Sequence, residues 1–291
     1  MRVLNIGSLN VDHVYQVDHF CRPGESLIAG GYRRFAGGKG ANQSLAVARA
    51  GGRVLHVGKI GREGEWMIPP MQADGVDTSR VVVSDDPGGH AMIQVDPSGQ
   101  NSIVVFGGTN QQIEESEVDS ALAAADAGDM VALQNEINLT AYVLRRAAER
   151  SLKVCFNAAP FTDAIRGYPL ELVSLFFINE TEGEELTGRT EPEAIVAAMI
   201  AKYPRADVVL TLGKQGALWG KGRERERVPI VDAPVVDTTG AGDTFIGYTL
   251  AGLCEGMPMR RALELATHAA ALCVSRAGAA ASIPYRRELP L

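Results

Sequence analysis

Cysteine is scarce in this chain of 291 residues, with four in all: Cys21, Cys155, Cys254 and Cys273. No two form a C-x-x-C pair and none has a histidine at zinc-ligand spacing, which argues against a structural zinc and a disulfide framework. They read as reduced thiols of a cytoplasmic protein. Positive charge is also in short supply, with 28 Lys+Arg against 35 Asp+Glu and a net charge of −7. Binders of nucleic acid or membrane surfaces concentrate basic residues, so neither partner is expected. No apolar run could span a bilayer. The longest, at 265–274, contains His268 and falls short of the ~20 residues required. The apolar stretch near Met1 is broken by Asn5 and closed by Asp12, unlike a signal peptide. Repeats and low-complexity tracts are missing too, and one domain is expected over residues 1–291.

Glycine, by contrast, is plentiful at 32 residues, without a collagen-like period, so many turns need a residue lacking Cβ. Apolar residues make up 46% of the chain, enough for a full core. Strand signals at 2–7, 54–58, 130–134, 154–157, 175–179, 208–212 and 217–219 mix with helix signals at 41–50, 114–125, 139–150, 192–202, 244–255 and 259–274. Residues 228–236 read as extended. The order predicts an α/β fold, a mostly parallel central sheet with helices on both faces. Segments 12–35 and 89–106 break the rhythm, reading as short alternating strands, with Pro97-Ser98-Gly99 as a hairpin turn. Together they predict one small β-sheet serving as a lid over the sheet's crevice. The mixed-charge run 221–227 reads as an exposed hairpin.

The strongest local signal is Asp237-Thr238-Thr239-Gly240-Ala241-Gly242-Asp243-Thr244-Phe245, between an extended stretch and a helix. Two glycines flanking a small residue let successive amides converge at a helix N-terminus, a cradle for phosphate that needs no cationic side chain. Asp243 stands beside that cradle. It could be a plain helix-terminus acid, but the turn follows an extended stretch of an α/β chain, where ligands gather. An acid there repels phosphate unless it has a proton to accept, which points to a catalytic base. A second glycine-rich turn, Gly37-Gly38-Lys39-Gly40-Ala41-Asn42, opens another helix and is no Walker A loop. Lys39 and Asn42 share a helix face, and Asn10 and Asp12 share a strand face. This donor and acceptor set suits a polyol.

On these two turns the sequence resembles the ribokinase family of PfkB-type carbohydrate kinases, over essentially the whole chain. The resemblance implies transfer of the ATP γ-phosphoryl group to a sugar, with the 5-hydroxyl of D-ribose as the expected acceptor. It implies that Asn10, Asp12, Gly38, Lys39, Asn42 and Glu136 hold the sugar, that Asp243 is the base, and that Gly240, Ala241 and Gly242 form the anion hole. Asn179 and Glu182 match an Asn-x-x-Glu motif that serves Mg²⁺ indirectly and positions phosphate. Thr211, Gly213, Gly242 and Thr267 fall where the family meets its nucleotide. Asp237, Thr239, Cys273, Arg276, Gly278 and Ser282 fall where it binds an activating monovalent cation, K⁺. A homodimer through the lid sheet is implied as well. The sequence departs from the family at Ala158, at Thr267, and at Gly61-Arg62-Glu63-Gly64, which lacks a frequent Asp.

Deoxyribose, fructose or a nucleoside as acceptor, or a sugar sensor without catalysis, are the alternatives. A nucleoside would need an aromatic wall, for which Tyr32, Phe35, His90 and Phe106 are the candidates. The net negative charge does not bar ATP, because local backbone dipoles outweigh distant acids screened beyond ~8 Å.

Overall fold

A computed structural model describes residues 1–290. The chain opens with β1 (Val3–Ile6), β2 (Asn10–Gln16) and β3 (Gly31–Gly37), then α1 (Lys39–Arg49), β4 (Val54–Gly61), α2 (Ile68–Ala73) and β5 (Val76–Ser84). The hairpin β6 (Gly89–Val95) and β7 (Asn101–Phe106) precedes α3 (Glu115–Ala123), β8 (Met130–Gln134), α4 (Thr140–Glu149), β9 (Lys153–Asn157), β10 (Leu175–Asn179), α5 (Glu180–Thr187) and α6 (Pro192–Lys202). The chain continues through β11 (Asp207–Thr211), β12 (Ala217–Lys221), β13 (Glu224–Val228), α7 (Ala241–Cys254) and α8 (Met259–Val274).

Nine strands form the large sheet in the order β13-β12-β11-β10-β9-β8-β1-β4-β5. Pairing is parallel from β11 to β5, and β12 and β13 close the other edge antiparallel. The central strands are buried along their whole length because helices cover both faces, and they are apolar except for Asn5 of β1 and Gln134 of β8. Leu4, Ile6, Val131, Phe156 and Phe176 pack on one face with Val118 of α3, Val143 of α4 and Ile195 of α6. Val3, Ala132, Cys155 and Phe177 turn to the other face, toward Leu45 of α1, Phe245 of α7 and Leu263 of α8.

The remaining strands form the expected small sheet, ordered β3-β2-β6-β7, in which only the β2–β6 pair is parallel. The 221–227 run is the β12–β13 hairpin, as anticipated. Residues 229–236, however, form no strand, because Pro229 and Pro234 have no amide to give a ladder. The strand lies one step earlier, in the charged residues of β13. Helix α2 and strand β5 escaped the sequence reading. Pro69-Pro70 resembles a breaker, yet prolines in a first helical turn forfeit no hydrogen bond.

One contact positions the site. A Cβ on Gly247 of α7 would lie 2.4 Å from the Ala46 Cβ and 2.8 Å from the Gln43 carbonyl oxygen of α1. Only glycine lets the two helices approach this closely, and their N-termini thereby come side by side.

Candidate active site

Helix α7 starts at Ala241, three residues earlier than the sequence suggested, so the second glycine of the turn lies inside the first helical turn. Gly240 is its N-cap, with φ +78, a left-handed conformation that side chains with Cβ resist. Its carbonyl accepts from Thr244 N at 2.8 Å, and Ala241 N makes a 3.3 Å turn bond to the Thr238 carbonyl. The Gly242 and Asp243 amides reach no backbone carbonyl, and so remain available to an anion.

Asp243 projects from this turn toward α1. Asn42 Nδ2 donates to its Oδ2 at 2.9 Å, and Gln43 Nε2 donates to its Oδ1 at 3.0 Å. Burial pushes its carboxyl up to about 6, against the pull of Lys39 and of the two amides. Lys39 opens α1 behind its N-cap Gly38. Its Nζ stands 3.2 Å from Glu136 Oε1, and its amide donates to Glu136 Oε2 at 3.0 Å. Burial pulls the Lys39 ammonium down, but Glu136 and Asp243 more than offset it, and its pKa lies above the ordinary value. Across the cluster, burial and then Glu136 raise Asp12 to about 7, with Asp243 adding to the effect and Lys39 opposing it. Three carboxylates and one ammonium therefore share one partly buried pocket of charge.

Asn10, Asp12, Lys39, Asn42, Glu136 and Asp243 thus come together as the sequence suggested. Asn42 Oδ1 is buried without a hydrogen-bond partner. Four residues of the site went unnoticed in the sequence. Ser8 Oγ donates to Glu136 Oε2 and accepts from Gly40 N at 3.1 Å. Asn110 Nδ2 donates to Asn10 Oδ1 at 2.7 Å, and Asn110 Oδ1 accepts from Leu9 N at 3.0 Å. Gln43 and Gln134 lie beneath Asp243, with Gln134 Nε2 donating to Gln43 Oε1 at 2.7 Å. The unbroken polar run Asn42-Gln43-Ser44 in an otherwise apolar helix was a usable signal for Gln43. Ser8, Asn110 and Gln134 carry none, since each acts across a long sequence separation.

The other predicted residues lie around this cluster. Asn179 caps α5 in a reciprocal box with Glu182: Asn179 N and Nδ2 donate to the carboxylate at 2.8 and 3.0 Å, and Glu182 N donates back to Asn179 Oδ1 at 2.9 Å. Burial raises the Glu182 carboxyl although the Asn179 bonds and Lys39 oppose it. Thr211 lies beside Asn179 in the sheet, with Gly213 in the following turn. Thr267 is not tied into the group, because its hydroxyl donates back to the Leu263 carbonyl of its own helix at 2.8 Å.

The residues expected around a cation also assemble. Asp237 Oδ1 accepts from Thr239 N and Oγ1 at 2.9 and 2.6 Å, and its Oδ2 accepts from Gly278 N at 2.9 Å. Cys273 Sγ lies 3.1 Å from Ser282 Oγ. Burial would raise Asp237, yet these bonds prevail and keep its carboxyl low. Arg276 side-steps the cluster, pairing with Glu288 at 2.8 Å, although its amide is bonded to the Cys273 carbonyl at 3.1 Å. Among the described residues, no group of three or more His, Cys, Asp or Glu could hold a metal ion directly.

Comparison with known proteins bears on this arrangement. Residues 2–286 match the family model described as pfkB family carbohydrate kinase. A ribokinase from Haemophilus influenzae is 35% identical over 292 residues, covering 97% of this chain and 95% of that protein. A bifunctional ribokinase/ribose-5-phosphate isomerase A from Fructilactobacillus sanfranciscensis is 35% identical over 302 residues. That match takes in 99% of this chain and 55% of the other, so the chain spans about half the length of that protein. The structure of Arabidopsis thaliana ribokinase complexed with ribose and ATP aligns with a TM-score of 0.86 at 29% identity, over 98% of this chain and 96% of that one. With the family's fold, both glycine-rich turns and a match over nearly its whole length, this chain belongs to the pfkB family of carbohydrate kinases.

Proposed function

We propose that the chain transfers the γ-phosphoryl group of ATP to the 5-hydroxyl of D-ribose, with Asp243 accepting the hydroxyl proton. The observation that carries this reading is Asp243 itself: a carboxylate near pKa 6, held by two amide donors, in the same helical turn as two free backbone N–H groups. Such a group is ionised at neutral pH and placed where a phosphoryl group can be received. Phosphoryl transfer is chiefly positioning plus charge stabilisation. The amides around Gly240, Ala241 and Gly242, together with Lys39, supply the charge stabilisation. Asn10, Asp12, Gly38, Asn42 and Glu136 hold the sugar. Asn179, Thr211, Gly213, Gly242 and Thr267 serve the nucleotide.

Two ions fit the residues present. Both Glu182 oxygens are engaged by Asn179, so this pair would reach Mg²⁺ through water rather than by ligation, and the ion would neutralise phosphate charge. Asp237, held anionic between two loops, suits a monovalent cation such as K⁺, with Thr239, Cys273, Arg276, Gly278 and Ser282 contributing mainly through their backbone oxygens. The small sheet, one domain with the rest, would act as a lid that excludes water during transfer. Its edge strand β7 is exposed along its entire length, including Val104, Val105 and Phe106, and this apolar strip supports a homodimer formed through that sheet. A protein of this kind would work in the cytoplasm.

Coupled ATP turnover on a panel of pentoses, hexoses and nucleosides, in K⁺ and then Na⁺, tests the reading. Ribose should give the highest kcat/KM, and Na⁺ should lower the rate. Turnover that favours a nucleoside, or none with any sugar, would overturn it.

A further inference from the structure

Beneath Asp243 lie three fully buried carboxamides, Asn5 of β1, Gln43 of α1 and Gln134 of β8. Their hydrogen bonds run in one direction. Asn5 Nδ2 donates to the Gly40 carbonyl at 2.7 Å and to Ser44 Oγ at 2.8 Å. A carbonyl can only accept, so the Asn5 amide cannot be reversed, and its Oδ1 is left facing Gln134 Nε2 at 3.0 Å. The other hydrogen of that Gln134 amide goes to Gln43 Oε1 at 2.7 Å. Gln43 is thereby obliged to turn its Nε2 toward Asp243 Oδ1, at 3.0 Å.

We propose that Gln43 is a positioning residue for Asp243, its amide locked donor-first by Gln134 and Asn5 so that the carboxylate is held still and ionised on the substrate side. The inference rests on the reading of Asp243 as the base. A merely structural core would place apolar side chains here. Instead Gln134 Oε1 is buried without a partner, a cost that packing alone does not explain. The neighbours do not supply the same hold. Asn42 bonds only Oδ2, while Lys39 bonds Glu136 and acts on Asp243 through its charge alone. Glu136 opposes ionisation from the sugar side, while the charge of Asp243 is itself felt by Asp12 and by Cys273 of α8. Among these groups the Gln43 amide is the donor set by a fixed chain of partners.

The test uses the full chain, with kcat and KM for ribose measured across pH for Gln43→Met, Gln134→Met, their double variant and Asp243→Asn. In Gln43→Met the acid limb of kcat/KM should move up by about one unit and plateau kcat should fall ~10-fold, with KM for ribose changed less than ~3-fold. Gln134→Met should move the limb the same way but less. The double variant should match Gln43→Met, because both act along one path. An unmoved acid limb, or a change confined to KM or to thermal stability, would overturn the proposal. If Gln43→Met does not fold, the limb of Gln134→Met decides in the same sense. An inactive Asp243→Asn with an unmoved limb in the Gln variants defeats the positioning role alone, whereas an active Asp243→Asn defeats the base and this inference with it.

Discussion

The cluster proposed to hold the sugar (the sugar side) and the residues proposed to meet the nucleotide (the nucleotide side) are built on different physical plans. On the sugar side, Asp12, Lys39, Glu136 and Asp243 come from four separate segments, and burial, with Glu136 adding and Lys39 opposing, raises Asp12 to about 7 and Asp243 to about 6. On the nucleotide side, Asn179 and Glu182 satisfy each other in a helix cap, and Thr267 satisfies itself within α8. The first region stores electrostatic tension, and the second offers mainly backbone and caps. The difference follows from the proposed chemistry. A proton must leave the acceptor hydroxyl, which needs an ionisable group tuned near working pH, whereas a nucleotide needs to be held in place.

The sharpest way to break this contrast is Asp243→Asn. It removes the carboxylate beside the free amides of α7, and kcat should fall by ~10²–10⁴ while ribose binding, followed by calorimetry, persists. Near-normal turnover would place the sugar side on the same footing as the nucleotide side.

Asp12→Asn probes the stored tension. Because burial raises the folded-state value of Asp12 from the ordinary 3.8 to about 7, its contribution to stability is complete below 3.8 and is lost as pH rises through about 7. The asparagine variant without ligand should therefore be more stable than the parent at pH 8, on the order of 1 kcal/mol, with the gap closing toward pH 4. Its KM for ribose should rise in the same preparation. Thermal melts at the two pH values check the sign, and equal shifts at both would exclude the electrostatic origin.

The smallest effect is expected at Thr267→Val. Its hydroxyl bonds the Leu263 carbonyl of its own helix, so what it offers the nucleotide is its methyl group, which valine keeps, and kcat and KM for ATP should stay within ~2-fold. A tenfold rise in KM for ATP would show that the nucleotide side too depends on individually tuned side chains.

Both glycine-rich turns could be read directly from the sequence, because each is local: the residues that open the helix and face the ligand lie within a few positions of one another. The alternation of apolar runs and amphipathic stretches likewise revealed the parallel sheet and most helices. Proline has two meanings that a local pattern does not separate. At Pro69-Pro70 it opens α2, while Pro229 and Pro234 end the pairing after β13. Ser8, Asn110 and Gln134 were not legible either, because their partners lie far away in the chain.

The sequence by itself therefore determined the fold class, the two glycine-rich turns at helix starts and the identity of the acid beside one of them, since each depends on residues within a few positions. Only the tertiary structure decided the state of that acid. Gly247 lets α7 close on α1, bringing Asn42 and Gln43 within 3.0 Å of Asp243 from about 200 positions away. Burial and amide donors then settle its charge, and those are properties of packing in space, which no local pattern encodes.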